Sequence, residues 1–368
     1  MQALAGACYT SPEFFALERE RILLPSWQLV CHVADLPAPG TAIRFDFLGR
    51  SALLLRGADG NVRGFDNVCR HRGSRLIDGD PTTGLAFCVD GRVRCPSHGW
   101  EYDDAGVLAA VPREGQYPGL DRTALGLRPV TVATGLGFVF AALERPPATL
   151  ESRLQHCTTE LEPYRLAAMR RVSEPALLRR RANWKLVCEQ ALDSHRASVA
   201  QPAPRVAEPG RHDYARHGEL LRIAGAIAGH DSTAWSMRAY ERWMPDHLQL
   251  PEARRRLWCR YLLWPNLVLD VYPDQVVTQQ VLPLDPGETA VRETVYALPD
   301  STREMRLSRY LNRRIRRRLE AADRRAVERL QSGISSGDYR PGPLAADDHG
   351  VRWYAGRLRS SIPTPAAE

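Results

Sequence analysis

Lysine is almost absent from this chain: of 50 basic residues only Lys185 is a lysine, and the others are arginines. No apolar run reaches the ~20 residues that a membrane-crossing helix needs, so no membrane association is expected. The opening residues, MQALAGACYTSPEFF, lack a basic segment followed by a long apolar one. No secretory leader is therefore expected, and the cytoplasm is the expected compartment. Cysteine is sparse as well. Eight cysteines in 368 residues are too few for a disulfide scaffold, and in a reducing compartment clustered Cys and His point to metal before disulfide. Aromatics are scarce where charge is densest. The run RLSRYLNRRIRRRLEAADRRAVERLQ, residues 306–331, holds Tyr310 as its one aromatic, and Glu320, Asp323 and Glu328 interrupt it. That pattern does not suit a nucleic-acid face. It suits a solvated helix, or a dock for an acidic protein, in a chain of net charge +7.

What is present is an ordinary globular composition, 44% apolar and 25% charged, with material for one large or two medium domains. Ser11 and Pro12 begin the amphipathic segment SPEFFALERERIL as cap and first helical residue. From about 43 to 142, short apolar runs (AIRFDFLG, SALLLRG, GFVFAAL) alternate with Gly- and Asp-rich turns, an all-β texture. LAFCV and RVRC flank Asp90-Gly91, which predicts a hairpin with a type I′ turn. ERPPATLES, residues 144–152, reads as a linker. Beyond it the pattern predicts a helix over about 149–163, a strand over about 172–181 and another helix from about 183. An antiparallel meander over about 257–298 and a long helix over about 302–331 follow. Residues 202–250, rich in Pro, Gly and His, show no readable pattern.

The strongest motif is Cys69-Arg70-His71 with Cys95-Pro96-Ser97-His98. Each half pairs one thiolate with one imidazole. Four such ligands could hold one tetrahedral Zn²⁺. The order C-x-H…C-x₂-H, with Gly73 after the first pair and Gly99-Trp100 after the second, matches a Rieske [2Fe–2S] cluster better. There two Cys hold one iron and two His hold the other, which raises the potential. Cys88 falls outside the pattern and reads as a buried thiol.

NVCRHRGSRL together with RCPSHGWEYDDAG resembles the Rieske domain of Rieske non-heme iron oxygenase α subunits. WQLVCHVADLP at 27–37, NWKLVCEQALDS at 183–194 and DYRPGPLAADDHGVRWY at 338–354 extend the resemblance over most of the chain. The resemblance implies an α+β fold. An all-β Rieske domain would span 27–145, and residues 1–26 with 146–368 would form a catalytic-type domain of antiparallel sheet and helices. It also implies an oxidoreductase that assembles as a trimer or hetero-oligomer and draws electrons from a ferredoxin or flavin reductase. One [2Fe–2S] cluster would sit on Cys69, His71, Cys95 and His98. Electrons would cross a subunit boundary to a mononuclear iron that activates O₂ on an aromatic or N/O-alkyl substrate. The gap between the two Rieske pairs is longer than is usual in the family, and the surplus is assigned to the Asp90-Gly91 hairpin.

The resemblance also places the second iron. The family segment runs N-W-K-x-x-x-E-N-x-x-D-x-Y-H-x-x-x-x-H, and Asn183, Trp184, Lys185, Glu189 and Asp193 match it. Gln190 replaces the Asn and His195 the Tyr, Arg196 stands at the first ligand His, and Gln201 at the second. The carboxylate ligand falls on Asp323. Two His and one carboxylate on one face are the set such iron needs. Arg196 cannot ligate, because a guanidinium stays cationic. Asp193 takes the position that, by resemblance, links the two metal centres across the interface. Read alone, it is a helical Asp pairing with Arg196 three residues on. His195, one residue and ~100° out of register, could restore iron binding, as could His212 with His217, which have the ligand spacing. The reading taken is an α-like subunit with its cluster but no mononuclear Fe(II). It would relay electrons to the iron of an intact α-type partner subunit, with Asp193 at the inter-subunit relay position. The alternatives are an active oxygenase with unusual ligands and a cluster-only electron-transfer or scaffolding protein. Arg196 is expected to enter the vacated site and pair with Asp323 or Asp193. The substrate is not legible, because its pocket would draw on residues 202–250.

Overall fold

The computed structural model describes residues 1–79, 85–87, 91–193, 212–227, 234–245, 250–300 and 302–365. They form two compact units, Leu24–Ser152 and the combination of Met1–Leu23 with Arg153–Glu368.

Leu24–Ser152 is a β unit. Strands β1 (Gln28–His32), β2 (Thr41–Phe47), β3 (Arg50–Arg56), β4 (Val62–Asp66), β5 (Leu85–Phe87), β9 (Pro129–Gly135) and β10 (Phe138–Ala142) form one sheet. Its order among the described residues is β1-β10-β9-β4-β3-β2-β5. Alternation is visible in β2, where Ile43, Phe45 and Phe47 are buried while Arg44 and Asp46 turn outward. The β2–β3 turn uses Leu48-Gly49, both at positive φ, as a two-residue hairpin requires. A second, small sheet joins β6 (Val93–Arg94), β7 (Glu101–Tyr102) and β8 (Leu108–Ala110). The predicted LAFCV–RVRC hairpin is corrected here. β5 pairs with the β2 edge and β6 pairs with β7, so the two runs join different sheets. Asp90 lies outside the described residues, as does Cys88. An apolar strand satisfies its backbone on whichever edge is free, and a turn dipeptide does not select that edge.

The other unit is α+β. Its sheet runs β11 (Arg170–Arg171), β18 (Glu288–Ala297), β17 (Val276–Asp285), β16 (Leu267–Val271), β15 (Leu257–Leu263), β14 (Leu220–Ala226), β13 (Asp213–His217), and β12 (Ala176–Arg180) also pairs with β18. The short helices α1 (Ala7–Thr10) and α2 (Pro12–Glu18) come from the N-terminus. Ser11 caps α2 by accepting the Phe14 N–H at 3.0 Å. Later helices are α3 (Leu150–Leu161), α4 (Trp184–Leu192), α5 (Trp235–Trp243), α6 (Arg303–Ile334) and α7 (His349–Ser361). α6 buries Met305, Leu311, Ile315, Ala322, Val327 and Ile334 along one stripe and turns its arginine run largely outward, as a solvated amphipathic helix does. β13, β14 and α5 fall in the stretch whose sequence shows no readable pattern. The reason is visible in Arg222 of β14, which pairs with Glu160 and Asp213 at 2.7 and 2.6 Å. Ion pairs there replace apolar alternation. No helix among the described residues is long and apolar enough to cross a membrane.

Candidate metal centres

Two loops of the β unit are built to one pattern. In the first, the Cys69 N–H donates to Ser74 O at 2.8 Å and the Gly73 N–H to Cys69 O at 3.0 Å. In the second, the Cys95 N–H donates to Trp100 O at 2.8 Å and the Gly99 N–H to Cys95 O at 3.0 Å. Each loop closes on a glycine in the left-handed region, φ +75° at Gly73 and +73° at Gly99, where a side chain would be strained. A hydrogen bond of 2.7 Å from Ser97 Oγ to Ser74 Oγ ties the loops together. β6 and β7 form the hairpin that carries the second loop at its tip.

Four donors converge there. The Cys69 and Cys95 thiols are both buried, near enough for each to affect the other's titration. His71 is half-buried and His98 exposed, with ring centroids 4.7 Å apart at 81°. Trp100 stacks on His71 at 4.7 Å and 10°. Tyr102 Oη lies 3.4 Å from Cys69 Sγ and accepts the Arg70 N–H at 3.0 Å. Burial raises the Cys95 pKa, but the Ser97 and His98 N–H groups outweigh it and hold the thiol below its usual range. Burial, with His98 opposite, lowers the His71 pKa and favours the neutral imidazole that ligates. His71 Nδ1 is buried with no hydrogen-bond partner. That orphaned nitrogen, on the thiol-paired loops, fits a [2Fe–2S] group on Cys69, Cys95, His71 and His98. Donors split into a thiol pair and an imidazole pair suit two irons better than one tetrahedral zinc.

The α4 segment has its own scaffold. Asn183 caps the helix by accepting the Lys185 N–H at 3.0 Å. Lys185 Nζ pairs with Glu18 Oε1 at 2.6 Å, both fully buried, and Trp184 Nε1 donates to Glu18 Oε2 at 3.0 Å. Tyr9 Oη donates to Glu189 at 2.9 and 3.0 Å. The N-W-K…E residues thus anchor α4 to the N-terminal helices. Glu18 and Tyr9 carry no recognisable motif, so sequence reasoning missed them. Asp193 ends α4 as its C-cap, half-buried, at φ −75° and ψ 110°. Arg260 of β15 donates to Ala191 O at 2.7 Å and pairs with Asp270 at 2.7 and 2.8 Å. Burial opposes its charge, yet Asp270 outweighs this and keeps the guanidinium cationic, with Asp323 adding to the effect. Asp323 is half-buried on α6.

His195, Arg196 and Gln201 lie outside the described residues, and so does the expected pairing of Arg196 with Asp323 or Asp193. A guanidinium offers no lone pair to a metal, so the ligand set that the resemblance implies, Arg196, Gln201 and Asp323, does not reproduce two His and one carboxylate. The His212–His217 alternative is overturned. His212 immediately precedes β13 and packs 6.2 Å from Trp258, whereas His217 ends that strand and stacks on His156 at 4.6 Å. Five residues of extended strand separate them by roughly 16 Å, on opposite faces.

Residues 164–363 match the family model of the ring hydroxylating alpha subunit catalytic domain, and residues 26–128 match that of the Rieske [2Fe-2S] domain. The chain belongs to the ring-hydroxylating α-subunit family. It is 27% identical, over 97% of its length and 86% of the relative's, to the glycine betaine monooxygenase oxygenase subunit of Chromohalobacter salexigens. It is 25% identical, over 93% and 87%, to the carnitine monooxygenase oxygenase subunit of Escherichia coli K12. Among solved structures, a quaternary ammonium Rieske monooxygenase shares the fold at TM-score 0.81 and 21% identity, covering 98% of this chain and 95% of that one. Naphthalene 1,2-dioxygenase from Rhodococcus does so at 0.73 and 20%, covering 97% and 94%. This α subunit is therefore a component of a Rieske oxygenase, an oxidoreductase. The curated relatives are named as oxygenase subunits themselves, which gives a relay-only chain no support.

Proposed function

We propose that this Rieske oxygenase α subunit feeds electrons from its own cluster to the mononuclear iron of an intact α-type partner, inside a trimer-based hetero-oligomer. What supports this reading is the sequence: laid on the family segment by resemblance, Arg196 and Gln201 fall where two ligand histidines are expected. A [2Fe–2S] group, when bound, supplies storage of one electron at a time. The chain's own residues do the rest. Cys69, Cys95, His71 and His98 would hold it, the thiols from buried positions and His98 from an exposed one. The exposed His98 edge would give the electron a way out, and Tyr102 Oη, 3.4 Å from Cys69 Sγ, would donate to a ligating thiolate there. A ferredoxin or flavin reductase is the donor. The cytoplasm suits the seven described cysteines, all free and buried.

A second reading is favoured by the relatives' names: an active monooxygenase on a quaternary ammonium compound, with iron held by other ligands. Co-expression with an intact α-type subunit and turnover of the purified complex separates the two. Removing this chain's cluster with Cys69→Ser should lower product formation at the partner's iron. Oxidation of glycine betaine or carnitine by the chain alone would establish the second reading instead.

A further inference from the structure

The end of α4 is gripped from two sides. The last carbonyls of a helix have no partner within it, and here the Ala191 carbonyl accepts from Arg260 Nη1 at 2.7 Å. Arg260 is itself fixed. It stands directly across from Asp270 in the β15–β16 register, both prongs of its guanidinium engage that carboxylate, and Trp258 Nε1 donates to Asp270 Oδ1 at 3.1 Å. A cation at a helix C-terminus also opposes the negative end of the dipole. On the other side, Gly350 of α7 approaches so closely that a Cβ there would meet Leu192 O at 2.6 Å and Leu192 Cβ at 2.7 Å. Ala191 and Leu192 are the two residues before Asp193.

We infer that Arg260, held by Asp270, and Gly350 are positioning residues that set where Asp193 stands at the subunit boundary. The inference rests on the reading of Asp193 as the contact to a neighbouring chain's cluster imidazole. A planar fork bonded at three points defines a direction that a flexible Lys could not. The close glycine contact removes the remaining slack. Among the described residues neither Arg260 nor Gly350 touches a reacting group, and each acts through Asp193.

The test is the midpoint potential of the clusters in the full, cluster-loaded assembly, measured at one fixed pH. A carboxylate charge beside a cluster favours the oxidised, more positive form, so displacing it moves the potential. Asp193→Asn gives the reference shift. Arg260→Met and Gly350→Ala should shift the potential in the same direction and by a comparable amount. Gly356→Ala on the same helix, whose Cβ would meet only Met1 Cε at 3.7 Å, should leave it unchanged. Gly350→Ala keeps the test available if Arg260→Met does not fold, and a general loss of stability would not move the potential of the folded fraction. A shift for Asp193→Asn with none for Arg260→Met or Gly350→Ala overturns the clamp alone. No shift for Asp193→Asn overturns the reading of Asp193 and the clamp with it.

Discussion

Tyr102 Oη lies 3.4 Å from Cys69 Sγ, the one hydroxyl that the small β6–β7–β8 sheet directs at the thiol pair. Hydrogen bonds to cluster sulfur favour the reduced state, which carries the extra negative charge. Tyr102→Phe should keep the Rieske spectrum and lower the midpoint potential by roughly 30–60 mV, the scale of about 1 kcal/mol on a one-electron couple. An unchanged potential in a redox titration would show that this contact does not tune the centre.

His71→Ala and His98→Ala remove imidazoles whose rings stand 4.7 Å apart. Either change should abolish the Rieske absorption and its electron paramagnetic signal while leaving the catalytic-type unit folded by circular dichroism. A mutant of each kind that keeps the signal would refute the ligand assignment.

The single lysine has a structural task. Lys185 and Glu18 are both fully buried and 2.6 Å apart. Removing one partner of such a pair leaves an unpaired buried charge, at a cost of about 3–5 kcal/mol. Lys185→Met should lower the denaturant midpoint accordingly, and the added Glu18→Gln should recover part of the loss. Equal midpoints for wild type and Lys185→Met would contradict this.

Glu189 couples stability to pH. Burial pushes its pKa up to about 7 despite the Tyr9 hydroxyl that donates to it. With the folded value above the unfolded one, the folded state holds the proton more tightly. The stabilisation is fully present below about pH 4.5 and is lost as pH rises to about 7, for a total of about 3 kcal/mol. Glu189→Gln should flatten unfolding free energy across that window and gain relative to wild type at pH 8. A parallel pair of curves would rule the effect out.

The legible parts of the chain are those where local chemistry dictates structure. The Cys69–His71 and Cys95–His98 spacing, the Ser11-Pro12 cap and the apolar stripe of α6 were all readable. What was not readable depends on distant partners. The Asp90-Gly91 signal could not say that Leu85–Phe87 would pair with β2. The strand β13, DYARH, has little apolar content of its own and is held as the edge partner of β14. Arg260, Tyr9 and Glu18 matter through contacts 69 to 180 residues away in sequence, and no single-sequence pattern announces such pairs. The second iron site is a different case: the resemblance sets Arg196 and Gln201 at the two ligand-histidine positions, and both lie outside the described residues.

Iron content tests the central claim most directly. With the cluster fully loaded and its spectrum quantified, metal analysis of the purified chain should find about two irons per chain, the number a [2Fe–2S] group contains. Arg196→His combined with Gln201→His should raise this to about three by completing a facial set with Asp323. About three irons in the unmodified chain, with the third lost on Asp323→Ala, would contradict the account and show that this subunit holds its own oxygen-activating metal.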